Sequence, residues 1–208
     1  AEKGHHCMII GSTGSGKTAT SLIPSILSCT SGSKQVVDIK SRELTFKTAD
    51  IHDKKTIIVD MNLNAPYVWG WDIFYKLKKD GTDTEQEVLS VVREVASVII
   101  PKSESGASFW ADAARNEFIG LTLYEFCYNN NYEFIDICRS MQTIPLREHM
   151  ETALNTVKKS SLVAAFLTGL SSTADETLFS IDITLNQSLF IFLSDDIVYF
   201  LRDNPKRA

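Results

Sequence analysis

The sequence predicts an α/β fold in two parts: a partial parallel sheet over residues 1–80, then an all-α helical domain over residues 81–208, inserted in the sheet or following it. Three observations predict it. Gly11-Ser12-Thr13-Gly14-Ser15-Gly16-Lys17-Thr18 fits G-x-x-x-x-G-K-[ST] without mismatch, after an apolar run and before helical spacing. Short β-branched runs then alternate with helical segments as far as Asp60. From Gly81 onward no run has strand character, and apolar residues recur at helical spacing.

The elements follow in order. Cys7-Met8-Ile9-Ile10 is a short apolar run ending in glycine, as a buried strand does. Thr18 to Leu27 carries Leu22, Ile23, Ile26 and Leu27 at helical spacing, and Pro24 predicts an irregular start. Gln35 to Ile39 and Thr56 to Asp60 are the second and third strand candidates, with a short helix over Leu44 to Ala49 between them. In the second part, Thr84-Glu85-Gln86-Glu87 is a capping box, and its helix runs to Pro101. "SESGAS" at 103–108 is a linker, and Phe109 to Cys127 is a long helix ended by "YNNNY". Further helices are predicted over Phe134–Gln142, Leu146–Thr156 and Leu162–Leu170. A capping box at Thr173–Glu176 opens another, and a short last helix starts at Ser194.

The glycine-rich stretch is the signature of a P-loop NTPase core. Glycines let successive backbone N–H groups turn toward one anion, and the following helix adds its positive end. The expected ligand set is Gly11, Ser12, Thr13, Gly14, Ser15, Gly16, Lys17 and Thr18 around ATP. Lys17 is the catalytic candidate, a point charge for the β- and γ-phosphates, and Thr18 is the Mg²⁺ ligand. Hydrolysis in this class also needs an Asp-Glu pair at the end of another strand. Asp38 and Asp60 end apolar runs but lack the following glutamate, so they are read as structural. "LFIFLSDD" at 189–196 mimics the pattern, yet Ser194 interrupts it and its flanks are helical. The pair is therefore expected beyond Ala208, and the isolated chain is expected to be inactive.

Composition sets the outer bounds. At 44% hydrophobic and 23% charged, the chain has a globular rather than a disordered composition. No run of about 18 apolar residues occurs, so no membrane span is expected within it. Residues 1–80 carry 11 Lys/Arg against 8 Asp/Glu, and residues 81–208 carry 10 against 18, so the net −5 divides into +3 and −8. An acidic second part is not a general nucleic-acid surface, but it suits a basic protein. Cys7, Cys29, Cys127 and Cys138 have no metal-type spacing and are read as buried thiols in a reducing compartment. His5-His6 is an exposed strand entry rather than a metal site. Trp69 and Trp71 suit packing better than base stacking. Lys158-Lys159 marks a solvated turn. Arg115 is read as a salt bridge to Asp112 or Glu117, with a phosphate contact as the alternative.

Four segments, taken in order, resemble one family. These are "HHCMIIGSTGSGKT", "VVDIKSREL" followed by "KTAD", "TIIVDMN", and "SFWADAARNEFIGLTLYEF". They are similar to the His-led phosphate loop, second and third strands, and Trp-x-x-Ala-Ala-Arg helix of type IV secretion coupling proteins, the TraG-like conjugative DNA-transfer ATPases. The chain departs from that pattern at Ile39, where proline is usual, at Ser41-Arg42, which replaces a glycine, and in "YVWGWDIF". The resemblance implies a hexameric ring motor at the cytoplasmic face of the bacterial inner membrane, with its membrane anchor upstream. It implies transfer of a relaxase-bound single-stranded DNA to secretion-channel proteins, with the helical domain recognising substrate. It also implies that the chain is a fragment of the full-length protein. Two alternatives stand beside it: another DNA translocase of FtsK-like or HerA-like kind, and a protein-recognition module that works without nucleotide.

Overall fold

Among the described residues, the runs expected to form strands at 7–10, 35–39 and 56–60 do not assemble into a sheet; Ile39 lies outside the described residues. The structure is a computed structural model, and it describes residues 7–29, 32–38, 42–49, 56–60, 68–81, 84–101 and 108–205. Among these residues there is no strand; Ile58, Val68 and Gly70 make isolated bridges only. The expected α/β P-loop core with its partial parallel sheet is therefore corrected to a mostly helical fold. The physical reason lies in cover. A parallel sheet persists where helices bury both its faces. Here Met8, Ile10 and Val37 are 83%, 86% and 74% exposed, so these apolar runs have no layer above them. His5 and His6 lie outside the described residues.

The chain divides into two compact units, residues 1–58 and 59–208. In the first, a π-helical turn Thr18–Leu22 runs directly into α1, Ile23–Ser28. Pro24 falls in the first turn of α1, where its missing N–H disturbs least. The π turn ahead of it is the irregularity that the proline predicts. α2, Glu43–Thr48, starts from Arg42 in the left-handed region at φ 63° and has no side-chain N-cap. Asp38 stands in for one. Its Oδ2 accepts from the Thr45 backbone N at 2.9 Å and from Thr45 Oγ1 at 3.0 Å. Asp38 is thus structural, as read from the sequence, although no strand carries it.

The second unit is a helical bundle around one central helix. Its helices are α3 (Tyr75–Asp80), α4 (Glu85–Ile99), α5 (Ser108–Cys127), α6 (Phe134–Thr143), α7 (Leu146–Thr156), α8 (Leu162–Ser171), α9 (Asp175–Leu189) and α10 (Asp195–Val198). A 3₁₀ turn Phe190–Leu193 links the last two, and a π turn Tyr199–Asp203 follows. α5 packs against α4, α8 and α9 and is buried almost all round, including Ala114, Phe118, Leu121 and Phe126. Apolar residues on every side suit it to that place. α4 instead buries one stripe, Val88, Leu89, Val92 and Ala96.

Sequence signals locate these helices well, but their caps differ. The Thr84 hydroxyl bonds the Glu87 carboxylate itself rather than a backbone N–H. The box at Thr173–Glu176 is also corrected: α9 is capped by Ala174 without a side-chain bond, and Thr173 Oγ1 donates back to Gly169 O of α8 at 3.1 Å. Residues 68–80 join this bundle. Phe74 is fully buried, edge-on to Phe126 and Phe134 at 5.5 and 5.9 Å. The returning C-terminal segment closes over them, with Trp71 N donating to Phe200 O at 3.0 Å and Asn204 Nδ2 to Val68 O at 3.2 Å. Only Cys138 of the four cysteines is buried; Cys127 is half-buried, and Cys7 and Cys29 are exposed, against the expectation of buried thiols.

Candidate functional site

The loop Gly11–Thr18 leads straight into the π turn at Thr18 and so stands at the head of the Thr18–Ser28 helical run. Gly14 and Gly16 take φ of +81° and +82°, a region where a side chain is strained. At Gly11 an added Cβ would lie 2.8 Å from Ser15 Oγ, so a side chain there would require the serine hydroxyl to move. Glycine at positions 14 and 16 follows from that backbone geometry.

Lys17 folds back over the loop. Its Nζ donates to Gly11 O at 2.5 Å, Ser12 O at 2.6 Å and Ser15 Oγ at 3.2 Å. Ser15 N also donates to Ser12 O at 3.2 Å, closing a turn beneath the ammonium. The cation is therefore held at the centre of the loop by oxygens of the loop itself. One turn later Thr20 donates twice to Gly16 O, from N at 2.8 Å and from Oγ1 at 2.9 Å.

Lys17 and Thr18 line a cleft of about 360 Å³ together with Leu22, Asp38, Glu43 and Leu44. Asp38 is committed to Thr45, and Glu43 Oε1 pairs with Lys47 Nζ at 2.8 Å in an exposed contact. Glu43 had no role in the sequence reading; its place in "SREL", one residue after the left-handed Arg42, was the available signal. No cluster of three His, Cys, Asp or Glu side chains suited to a metal occurs among the described residues.

The remaining sequence candidates lie elsewhere. Arg115 on α5 donates from Nε to Ile100 O at 2.7 Å and pairs through Nη1 with Asp112. It closes the C-terminus of α4, so the salt-bridge reading holds and the guanidinium is engaged within the bundle. Trp71 is half-exposed, and Lys158 and Lys159 are exposed beyond the end of α7. "LFIFLSDD" is the helical end of α9, its 3₁₀ turn and the Ser194 cap of α10.

A glycine-rich loop with a lysine at its centre, set ahead of a helix and joined in sequence to an α-helical bundle, defines a class of chain rather than a single protein. The particular family is given by comparison. The family model described as type IV secretory system conjugative DNA transfer matches residues 1–202, and this chain belongs to that family. No curated protein matches it, and no solved structure does. Among the described residues no single helix is long and apolar enough to cross a membrane.

Proposed function

We propose that this chain is the ATP-binding part of a conjugative coupling ATPase that passes relaxase-bound single-stranded DNA to a type IV secretion channel. Family membership supports the conjugative setting. One observation supports the nucleotide: three loop oxygens surround Lys17 Nζ where glycines at positive φ curl the backbone. The residues suit a phosphate, because the loop is glycine-lined, takes positive φ at Gly14 and Gly16, and holds a lysine ammonium that can exchange its loop oxygens for an anion's.

Lys17 would exchange its loop oxygens for β- and γ-phosphate oxygens. Gly14 and Gly16 let backbone N–H groups approach the same anion, and the Thr18 hydroxyl would face the Mg²⁺ that accompanies the nucleotide. Bound Mg²⁺ would supply charge neutralisation across the phosphates. In this reading the working motor is a homo-hexamer at the cytoplasmic face of the inner membrane, and its partners are the relaxase–DNA complex and secretion-channel proteins.

The test is calorimetry with ATP and Mg²⁺ on this chain and on Lys17→Ala. Heat of binding from the parent and none from the variant is the expected result. Equal heats from both, or none from either, would remove the nucleotide from the reading and leave only the family assignment.

A further inference from the structure

Helix α9 packs along α5, and its Leu178, Ile181, Leu185 and Leu189 are buried in the bundle. One acid of α5 is enclosed there as well. Glu117 is 1% exposed, and its Oε2 has no hydrogen-bond partner among the described residues. On α9, Asn186 Nδ2 donates to Asp182 Oδ1 at 2.8 Å. That bond fixes the amide, because the reverse orientation would set its oxygen against a carboxylate. Asn186 Oδ1 is therefore the atom left over, and it too is enclosed without a partner.

An enclosed acceptor without a donor is costly and uncommon in native proteins. The chain nearby supplies no cation to these two. From Ser160 through Leu201 there is no Lys or Arg. Arg147 of α7 is spent on Asp175, and Arg115 of α5 turns to Ile100 O and Asp112. The donor can come from Glu117 itself, because a protonated carboxyl carries one O–H.

Burial, and next the charge of Asp182, hold the Glu117 carboxyl well above the ordinary carboxylate range. Burial raises Asp182 as well, against the opposing bond from Asn186. Among the described residues Asp182 is the one charge that acts on Glu117. Of the other helices against α5, α8 has no titratable side chain, and Arg93 and Glu94 of α4 are exposed. His149 of α7 is bonded to Glu125, and Asp136 of α6 pairs with Arg202. Asp182 also lines an open groove of about 490 Å³, which gives a proton its way to water.

We propose that Glu117 and Asp182 hold one proton between them at the α5–α9 contact, seated on Glu117, and that it acts as a pH-sensitive latch on α9. With the proton in place, Glu117 supplies the donor that the contact lacks, and Asp182 alone is charged. Its loss to water leaves two carboxylates and an enclosed amide oxygen without a donor, and α9 opens from α5. The folded value of Glu117 is raised. The latch is therefore complete below the unfolded carboxyl pKa of about 4.3 and weakens as pH rises toward the folded value. The inference rests on the helical unit alone and goes beyond the nucleotide reading, so either can fail without the other.

The test is amide hydrogen exchange of the full chain between pH 5 and pH 8, read by mass spectrometry and normalised for the intrinsic pH dependence of exchange. Protection of α9 in the parent is expected to fall by about tenfold for each pH unit by which the folded carboxyl is raised, and to fall further than that of α4. Glu117→Gln keeps the shape and an N–H donor but cannot ionise, so its α9 protection should stay level. Asp182→Asn removes the neighbouring charge and should reduce the fall. A carboxyl carbon-13 NMR titration of the parent is the second readout and needs no variant to fold. It should show one glutamate with a midpoint well above about 4.3. Level α9 protection in the parent, an equal fall in Glu117→Gln, or no glutamate titrating above the ordinary range would each overturn the proposal.

Discussion

His149 Nε2 lies 2.7 Å from Glu125 Oε1, and both side chains are almost wholly buried. This contact joins α7 to the central helix α5. The same glutamate also organises the "YNNNY" turn, accepting from Asn129 Nδ2 at 2.9 Å and Asn131 Nδ2 at 3.2 Å. Burial alone would raise the Glu125 carboxyl, but the bonds from His149, Asn129 and Asn131 outweigh it and hold the group below its ordinary value. One acid therefore supports a helix contact and a turn together.

Glu125→Ala is expected to destabilise the chain by about 3 kcal/mol, because it leaves buried partners without their acceptor. Urea unfolding followed by circular dichroism measures it. The sign with pH follows from the lowered value. This stabilisation is complete above the unfolded carboxyl pKa of about 4.3 and is lost as pH falls through the lower folded value. Glu125→Gln should thus show a flatter acid limb than the parent; identical acid limbs would contradict the assignment.

Glu117 has the opposite sign. Its folded carboxyl is raised, so the native state keeps a proton that the unfolded chain releases. Stability from this group therefore falls as pH rises from about 4.3 toward the folded value. Glu117→Gln cannot ionise and should gain stability relative to the parent between pH 4.5 and pH 7. Thermal melts at these two values decide it, and a constant difference between variant and parent would count against the buried acid.

Gly120 sits where α5 meets α8. A Cβ there would lie 2.5 Å from Leu167 Cδ2 and 2.7 Å from Leu167 Cγ, and Leu167 is itself fully buried. Gly120→Ala should cost about 1–3 kcal/mol through overpacking, despite alanine's better helix propensity. Gly169→Ala is the control. Nothing lies within 4 Å of its added Cβ, so that variant should be neutral or stabilised by up to about 1 kcal/mol. Equal melting shifts for the two would mean the α5–α8 approach is looser than this.

Arg115→Ala should cost about 1–3 kcal/mol by removing the charged donor from the Ile100 carbonyl. Nucleotide binding should stay at the parent value, because the guanidinium is committed inside the bundle. Calorimetry beside a melt separates the two roles. Loss of ATP affinity at unchanged stability would restore the phosphate contact as the better account.

Much of the bundle is legible in the sequence. The helix Leu146–Thr156 lies where its apolar spacing places it, and α4, α5, α6 and α8 depart from their sequence bounds by a residue or so at an end. Helical hydrogen bonds close within four residues, so the information that specifies them is local. Gly14 and Gly16 of the loop were legible for the same reason, since each answers a local backbone requirement, a positive φ.

That these runs would form no sheet was not legible, because a strand's bonds are made to another segment and its faces need cover from elsewhere. Met8, Ile10 and Val37 have strand composition without either. Nor could spacing alone decide that Phe74 would lie fully inside the bundle or that Arg115 would close α4. The two apolar faces of α9 make the same point. From sequence, Leu178 and Phe179 are equivalent neighbours; packing against α5 buried one and left the other to solvent. By itself the sequence determined the phosphate-loop motif, the helical segments and their amphipathic periods, all local properties of the backbone. Which faces are covered, which charges are paired and whether a sheet exists were decided only by tertiary structure, because each depends on residues distant in the chain.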